Sequence, residues 1–171
     1  MKKISLIFFF IILTNIAYGE DKVVYLDVNL LLSESEVGKY VNSNLKKISD
    51  DNNEENKKFE AELKSDEEKL LTQQNILKKE DYEKKISELR NKIKLYQEKK
   101  NSKNKDLNSI RNKAGNKILK SINEIMTEYS KKNSISLVIT KQSIIIGKTE
   151  LDVTNDILEL LNKKITKLEL N

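Results

Sequence analysis

Apolar residues in the central part of the chain recur at intervals of three and four, interrupted by two polar stretches of ten residues each. This spacing places apolar side chains on one face of a helix, and its persistence over many turns is typical of coiled-coil packing. The pattern therefore predicts two long amphipathic helices between residues 35 and 129. The residues predicted to pack between them are Val37, Val41, Leu45, Ile48, Phe59, Tyr96, Leu107, Ile110, Ala114 and Ile118.

The two apolar stretches mirror one another about a common centre. If the chain reverses near residues 75–80, residue i of the first limb faces residue 155 − i of the second, so that Phe59 meets Tyr96. The polar stretches, 49–58 and 97–106, face each other under the same rule. Unrelated helices would have no reason to share a centre. The pattern therefore favours an antiparallel hairpin over a straight parallel coiled coil.

Charge is distributed unequally between the two limbs. Residues 34–77 carry 7 basic and 11 acidic side chains, whereas residues 78–120 carry 15 basic and 6 acidic ones. Opposite charge favours antiparallel pairing, with Glu55 expected to face Lys100, although each exposed pair contributes only about 0–1 kcal/mol. The polar stretches should weaken the middle of the hairpin, which we expect to bend. Gly38 and Gly115 should lie near each other at the root of the arm, where they would allow close approach of the helices or, alternatively, form a hinge.

Both ends of the chain carry short segments rich in β-branched residues. Residues 23–26, 134–140 and 144–146 each read as a strand, with a short hairpin loop at 141–143. A helical spacing of apolar residues follows over residues 151–168, with Asp152 or Thr154 as its N-cap. Strands from opposite ends can share one sheet only if the middle of the chain leaves and returns.

The predicted fold class is therefore α+β and mostly α: a long antiparallel helical hairpin on a small β-rich body. We assign the body to residues 20–34 and 130–171. The arm comprises residues 35–129, with its tip near 75–80.

The N-terminus has the organisation of a secretory signal peptide. Lys2 and Lys3 precede an apolar run over residues 4–16, which ends in the small-x-small sequence Ala17-Tyr18-Gly19. A helix that spans a membrane needs about 20 apolar residues, and this run is shorter. We predict a signal peptide over residues 1–19 and export of the remainder; an uncleaved N-terminal anchor is the alternative.

The composition argues against an enzyme. The chain has no Cys and no His, so it lacks a thiol nucleophile, the usual general base and the commonest metal ligand. Gly147-Lys148-Thr149 matches the end of a phosphate-binding loop, but Gln142 stands where that motif needs its first glycine. The net charge of +5 is too mild to argue for nucleic acid. We predict no catalytic residue, no cofactor and no metal.

Three groups of residues carry a family resemblance across the mature chain. They are Lys22-Val23-Val24-Tyr25-Leu26-Asp27-Val28 with Leu30-Leu31-Leu32, then Glu68-Lys69-Leu70 through Tyr82-Glu83-Lys84-Lys85, and finally Ser136-Leu137-Val138-Ile139 with residues 144–146 and 152–158. Their order resembles the Skp (OmpH) family of periplasmic chaperones. The resemblance implies a trimer whose arms surround a cavity that holds unfolded outer-membrane proteins, without nucleotide. The resemblance also implies weak contact with a membrane surface or lipopolysaccharide.

A lone small sheet is marginal in stability and leaves its edges open, which agrees with a trimer. A structural coiled-coil scaffold or spacer of the cell envelope is the alternative function. The strands at both ends favour the chaperone, because a spacer needs no body to gather its arms. The residues predicted to associate around the threefold axis are Val23, Tyr25, Leu137, Ile139, Ile144 and Ile146.

Overall fold

The computed structural model describes residues 22–170, so the predicted signal peptide at 1–19 lies outside the described residues. Single 3-10 turns at Lys141–Ser143 and Thr149–Leu151 precede the last helix. The elements are β1 (Lys22–Leu26), α1 (Val28–Glu34), α2 (Glu36–Gln73), α3 (Lys79–Lys132), β2 (Ile135–Thr140) and α4 (Thr154–Lys164).

Helices α2 and α3 form the predicted antiparallel hairpin. They are 38 and 54 residues long and are joined by residues 74–78, so the chain reverses where the mirror pattern places its centre. The greater length of α3 carries it past the start of α2 and into the body. The predicted fold class, a long helical hairpin on a small α+β body, is confirmed.

Side-chain caps set the two helix starts at the base of the arm. The Asp27 carboxylate accepts the backbone N–H of Leu30 at 3.0 Å and begins α1. The Ser35 hydroxyl, fully buried, accepts the N–H of Gly38 at 3.1 Å and begins α2. Each cap satisfies a donor that the first helical turn leaves without a partner. The chain therefore changes direction at Ser35 without leaving a buried polar atom unpaired.

The sheet joins the two ends of the chain, as predicted. Strands β1 and β2 are parallel, with Val24 paired to Val138 and Tyr25 paired to Ile139. Val24 and Leu26 face the core and are buried. Parallel strands need a long crossover between them. Here that crossover is the whole hairpin arm.

The predicted third strand at residues 144–146 and its hairpin loop are wrong. Within the described residues the sheet has two strands, and Lys141–Ser143 forms a 3-10 turn. The chain instead returns to the other side of β1, where Asp152 bridges Tyr25 and the Val153 N–H donates to the Tyr25 carbonyl at 3.0 Å. A single bridge thus takes the position beside β1, and residues 144–146 pair with neither strand.

The last helix is shorter in the structure than its apolar pattern predicts. α4 ends at Lys164, and Ile165 has an extended backbone with φ −152° and ψ 127°. Val153 occupies the cap position of α4, while the Asp152 carboxylate accepts the Thr154 N–H at 3.0 Å. Beyond α4, residues 165–170 continue as an irregular segment whose apolar side chains pack against the core.

The hydrophobic core lies at the junction of the arm with the body. Its buried members come from every helix and from β1, and they include Leu31, Ile157 and Leu161, all fully buried. The arm is therefore fixed at its root, and its outer two-thirds extend away from the core.

Candidate functional site

Packing in the arm weakens with distance from the body. The root residues predicted to pack, Val37, Val41, Leu45, Ala114 and Ile118, are buried. Those farther out are only half-buried: Ile48, Phe59, Tyr96, Leu107 and Ile110. A two-helix arm offers each apolar side chain a partner on one side alone. The outer arm therefore keeps part of its apolar surface in contact with solvent.

The two glycines expected at the root do not make a common close contact. A Cβ at Gly38 would lie 2.2 Å from the Leu32 carbonyl oxygen, so the close approach at this glycine is to the end of α1. A Cβ at Gly115 would meet no atom within 4 Å. Gly38 is therefore required by its neighbour, whereas Gly115 is not.

Ion pairs join the helices along the polar middle of the arm. Glu55 contacts both Lys99 and Lys103, the former at 2.6 Å, rather than Lys100 as the register rule suggested. Lys99 and Lys103 lie one turn apart on α3 and flank the position opposite Glu55. Lys103 first, and then Lys99, hold the pKa of Glu55 down at about 2 from its ordinary 4.5.

An aromatic pair follows the polar middle. The rings of Phe59 and Tyr96 stack with centroids 5.1 Å apart. The Tyr96 hydroxyl donates to the Glu60 carboxylate, which also pairs with Lys100 at 3.1 Å. These contacts lower the pKa of Glu60, through Tyr96 first and Lys100 second.

Lys92 connects the two helices beyond the aromatic pair. Its ammonium lies 2.6 Å from Glu62 and 2.6 Å from Asp66, and 5.7 Å from the centroid of the Phe59 ring. The carboxylates of Asp66 and Glu62 raise the pKa of Lys92. Because these charges are exposed, each pair stabilises the arm only slightly.

The outer arm, from the aromatic pair to the loop, exposes apolar side chains. Ile76, in the loop, is 80% exposed, and Leu71 and Leu95 are exposed on the adjoining helices. Ile93 is also exposed. A shallow groove of about 290 Å³ lies on the same part of the arm, between Asp66 and Leu70 of α2 and Lys85 and Leu89 of α3. The outer arm thus alternates apolar and charged surface, and this groove is open to solvent.

A second apolar surface lies on the outer face of the sheet. Val23 and Leu137 are register partners, and Leu137 is 53% exposed. Nearby in sequence, Ile145 and Ile146 are 99% and 91% exposed. We call these four residues the outer body face. Ile145 was not among the residues predicted to associate, because a strand at 144–146 would have turned it away from its neighbours.

Three other residues predicted to associate are less accessible. Tyr25 is buried, since its hydroxyl donates to the Lys148 carbonyl at 3.1 Å and its ring lies against Gly147. Ile139 and Ile144 are half-buried. The loop that follows β2 therefore covers within one chain part of the surface assigned to association.

A larger groove of about 640 Å³ lies between the end of α3 and α4. Its wall includes Tyr129, whose hydroxyl donates to the Asp156 carboxylate, which raises the pKa of Tyr129 to about 12. Within residues 22–170, no three metal-ligating side chains cluster to hold an ion. In that same range no helix is long and apolar enough to cross a membrane.

Arm and body together define a class of protein: a long helical hairpin carried by a small α+β body whose two strands come from opposite ends of the chain. A family profile described as outer membrane protein (OmpH-like) matches residues 22–161. The chain belongs to this OmpH-like family.

Structural comparison agrees on the fold. The crystal structure of a candidate outer membrane chaperone (OmpH-like) from Caulobacter crescentus CB15 is similar, with a TM-score of 0.81 and 19% sequence identity. The match covers 88% of this chain and 89% of the Caulobacter chain. No curated protein matches the chain.

Proposed function

We propose that this protein is an ATP-independent holding chaperone of the periplasm, which binds unfolded outer-membrane proteins and prevents their aggregation. Family membership supports this proposal, as does the description of the Caulobacter neighbour as an outer membrane chaperone candidate. The observation that carries it is the outer arm, where exposed apolar side chains at Leu71, Ile76 and Leu95 alternate with charges. Such a surface suits weak contacts with many different segments of an unfolded chain.

Holding would depend on many contacts made at once. Each exposed apolar residue of the arm contributes little. Once one segment of a client is bound, however, the other segments of the same client are held near the arm at a high effective concentration. The basic excess of α3 adds attraction for acidic clients, and weak contact with anionic lipid or lipopolysaccharide would have the same origin. Neither process needs a nucleotide or a metal ion. The arm therefore acts as a surface, not as a catalyst.

We also propose a homotrimer built through the outer body face. Val23, Leu137, Ile145 and Ile146 present apolar side chains in a region far from the arm tip. Large apolar side chains exposed together on a protein surface are a mark of an interaction site. Closed rotational symmetry would bury this surface in each of three copies and leave the arms around a shared cavity.

Suppression of aggregation tests the holding activity. An unfolded β-barrel protein is diluted from urea, without ATP, into the mature chain at one trimer per client, and light scattering is followed. We expect scattering to fall strongly, and a variant with Leu71→Ser, Ile76→Ser and Leu95→Ser to protect less. Undiminished scattering with the folded mature chain would contradict the proposal and favour an envelope scaffold. A matched control substitutes exposed polar residues of the same helices: Thr72→Ser, Gln97→Ser and Asn91→Ser.

A further inference from the structure

The segment after α4 lies outside the family profile, which ends at residue 161, yet it is packed on the protein. We call residues 165–170 the tail. Its three apolar side chains, Ile165, Leu168 and Leu170, are half-buried against the core, while Thr166, Lys167 and Glu169 are exposed. The tail is neither helical nor paired in the sheet. It is therefore an irregular segment, bent at Thr166, that is seated on an apolar surface.

Two polar contacts fix the path of the tail. Lys164, at the end of α4, pairs with Glu124 of α3 at 2.8 Å. Five residues later the Glu169 carbonyl lies 3.4 Å from the Lys117 ammonium. Seven helical residues separate Lys117 from Glu124, which is roughly 10 Å. The tail therefore runs along α3 from the body toward the root of the arm.

The surface beneath the tail combines apolar and basic character. Ala114, Ile118 and Ile122 of α3 belong to the core against which the tail packs. Lys113, Lys117 and Lys120 are exposed, and their spacing places them along one side of the same helix. Such a surface fits an extended chain with apolar residues on one side and acidic or carbonyl oxygens on the other. We call residues 113–124 of α3 the tail site.

We propose that the tail site binds extended segments of an unfolded outer-membrane protein and that the tail occupies it in the absence of such a client. This inference rests on the proposed holding function. Strands of outer-membrane barrels alternate apolar and polar residues. Leu168 and Leu170 are two positions apart, the spacing at which a strand places side chains on one face, and both pack against the core. The tail thus resembles a short client segment.

The weakness of the tail's contacts makes this exchange possible. Three half-buried side chains hold it, and the Ile165 N–H donates to the Leu161 carbonyl at 2.9 Å where the tail leaves α4. Farther along, the contact of Lys117 with the Glu169 carbonyl, at 3.4 Å, is near the limit for a hydrogen bond. The tail stays in place because it is tethered, which gives it a high effective concentration. A client that offers several such segments competes against that tether. The tail would therefore reduce affinity for short or poorly matched chains.

Three variants test the exchange. One ends at Lys164, a second carries Leu168→Ser and Leu170→Ser, and a third carries Lys117→Cys and Glu169→Cys. Because the natural chain has no cysteine, a short bis-maleimide joins the third variant's tail to α3 at these positions alone. Its control is the same protein with both cysteines capped by N-ethylmaleimide. Thr166→Ala, at an exposed tail position, is the control for the serine variant.

The affinity for a urea-unfolded outer-membrane β-barrel protein is measured by fluorescence for each form. If the tail is docked for most of the time, we expect the first two variants to bind about three- to tenfold tighter. The tethered protein should bind several-fold more weakly than its capped control. If the shortened chain fails to fold, the serine variant carries the test. Equal affinities among all folded forms would overturn the inference and leave the holding function standing.

A second measurement addresses the site without a client. Adding a synthetic peptide of residues 165–171 to the isotopically labelled shortened chain should shift the amide resonances of residues 113–124. Absence of these shifts would overturn the inference. If the peptide binds but no form of the protein binds a client, the proposed holding function is wrong. The tail site would then exist, but its proposed partner, an unfolded outer-membrane protein, would be wrong as well.

Discussion

Phe59 of α2 and Tyr96 of α3 stack across the arm with their ring planes 12° from parallel. This pair lies between the polar middle of the arm and the tip, where most neighbouring contacts are exposed ion pairs. Stacked aromatic rings contribute about 0.5–1.5 kcal/mol beyond the area they bury. The stack therefore stabilises the outer half of the hairpin by at least as much as a single exposed ion pair there.

Tyr96→Ala should loosen the outer arm while leaving the body intact. We expect the free energy of local opening for residues 59–96 to fall by about 1–2 kcal/mol, because both the stack and its buried area are lost. Hydrogen exchange of the arm amides measures this change. Tyr96→Phe is the control, since it keeps the ring and removes only the hydroxyl contact with Glu60. Equal exchange in both variants would contradict this role of the ring.

Acid should separate the middle of the arm. The pKa of Glu55 is lowered to about 2 and those of Glu60 and Asp66 are lowered by their lysine and tyrosine partners. A carboxylate with a depressed folded pKa stabilises the fold above its unfolded pKa, near 4.5, and this contribution disappears as the pH falls toward the folded pKa. We expect faster opening of the arm between pH 4.5 and 2.

Glu55→Gln provides the measurement of this pH dependence. A fluorescence-transfer pair, with one dye on each limb, measures how far the limbs move apart when the pH falls from 7 to 3. We expect this change in distance to be smaller in the variant than in the natural chain. Glu54→Gln, one exposed position earlier, is the matched control and should keep the full response. High salt at pH 7 should loosen the natural arm slightly, because exposed pairs are screened.

The two glycines at the root of the arm, Gly38 and Gly115, should respond to alanine in opposite directions. Gly38→Ala places a Cβ 2.2 Å from the Leu32 carbonyl oxygen and should destabilise the protein by about 2 kcal/mol or more. Gly115→Ala meets no atom within 4 Å and should stabilise α3 by about 0.5–1 kcal/mol. Urea unfolding of the two variants checks both signs. A loss of stability at Gly115→Ala would mean that close packing is needed there after all.

The hairpin could be predicted from the sequence because its pattern is internally redundant. Apolar spacing defines each helix face, and the mirror centre fixes which residues meet, as Phe59 and Tyr96 do. The finer pairing of charges could not be predicted in the same way. A long side chain such as Lys103 reaches one turn along the facing helix, so Glu55 pairs with residues that flank the opposite position.

The body was harder to predict for two physical reasons. A three-residue apolar run such as 144–146 does not reveal whether it pairs with a neighbouring strand. In the structure the chain after β2 forms 3-10 turns instead of a hairpin and returns to β1 through Asp152. The helical spacing also continues from Leu161 to Ile165 and Leu168 with no glycine or proline to stop it. The end of α4 at Lys164 is therefore seen only in the structure, where the tail leaves the helix and packs against the core.

Leu137→Asp should disrupt the proposed trimer. The side chain is 53% exposed in one chain, so a charge there costs little in the monomer, but it would be buried without a partner in the assembly. Sedimentation velocity at micromolar concentration should show a trimer for the mature chain and a monomer for this variant. Leu95→Asp, on an exposed position of the arm, is the control and should remain trimeric. A stable monomer of the natural mature chain would contradict the proposal.

The polar middle of the arm should act as its point of bending. Between Ile48 and Phe59 the interface of α2 carries half-buried Asn52 and Asn56 in place of apolar side chains, and Lys103 of α3 is half-buried opposite Asn52. Asn52→Leu with Lys103→Leu would fill this gap with an apolar pair. The contact between Lys103 and Glu55 is lost in this variant, but it is open to solvent on the Glu55 side and contributes little. We expect slower hydrogen exchange over residues 49–58 and 97–106 and a narrower distribution of tip-to-body distances by electron spin resonance.

The control for this change places the same side chains on the outer surface of the arm. Asn53→Leu with Asn101→Leu adds two leucines at exposed positions and should leave both measurements unchanged. If the arm bends to fit clients of different size, the stiffened variant should lose affinity for large clients more than for small ones, since a stiff arm presents one cavity shape. Uniform hydrogen exchange along the arm of the natural chain would contradict bending at this point. In that case the polar residues would serve solubility alone, and the leucine pair would raise stability without changing client range.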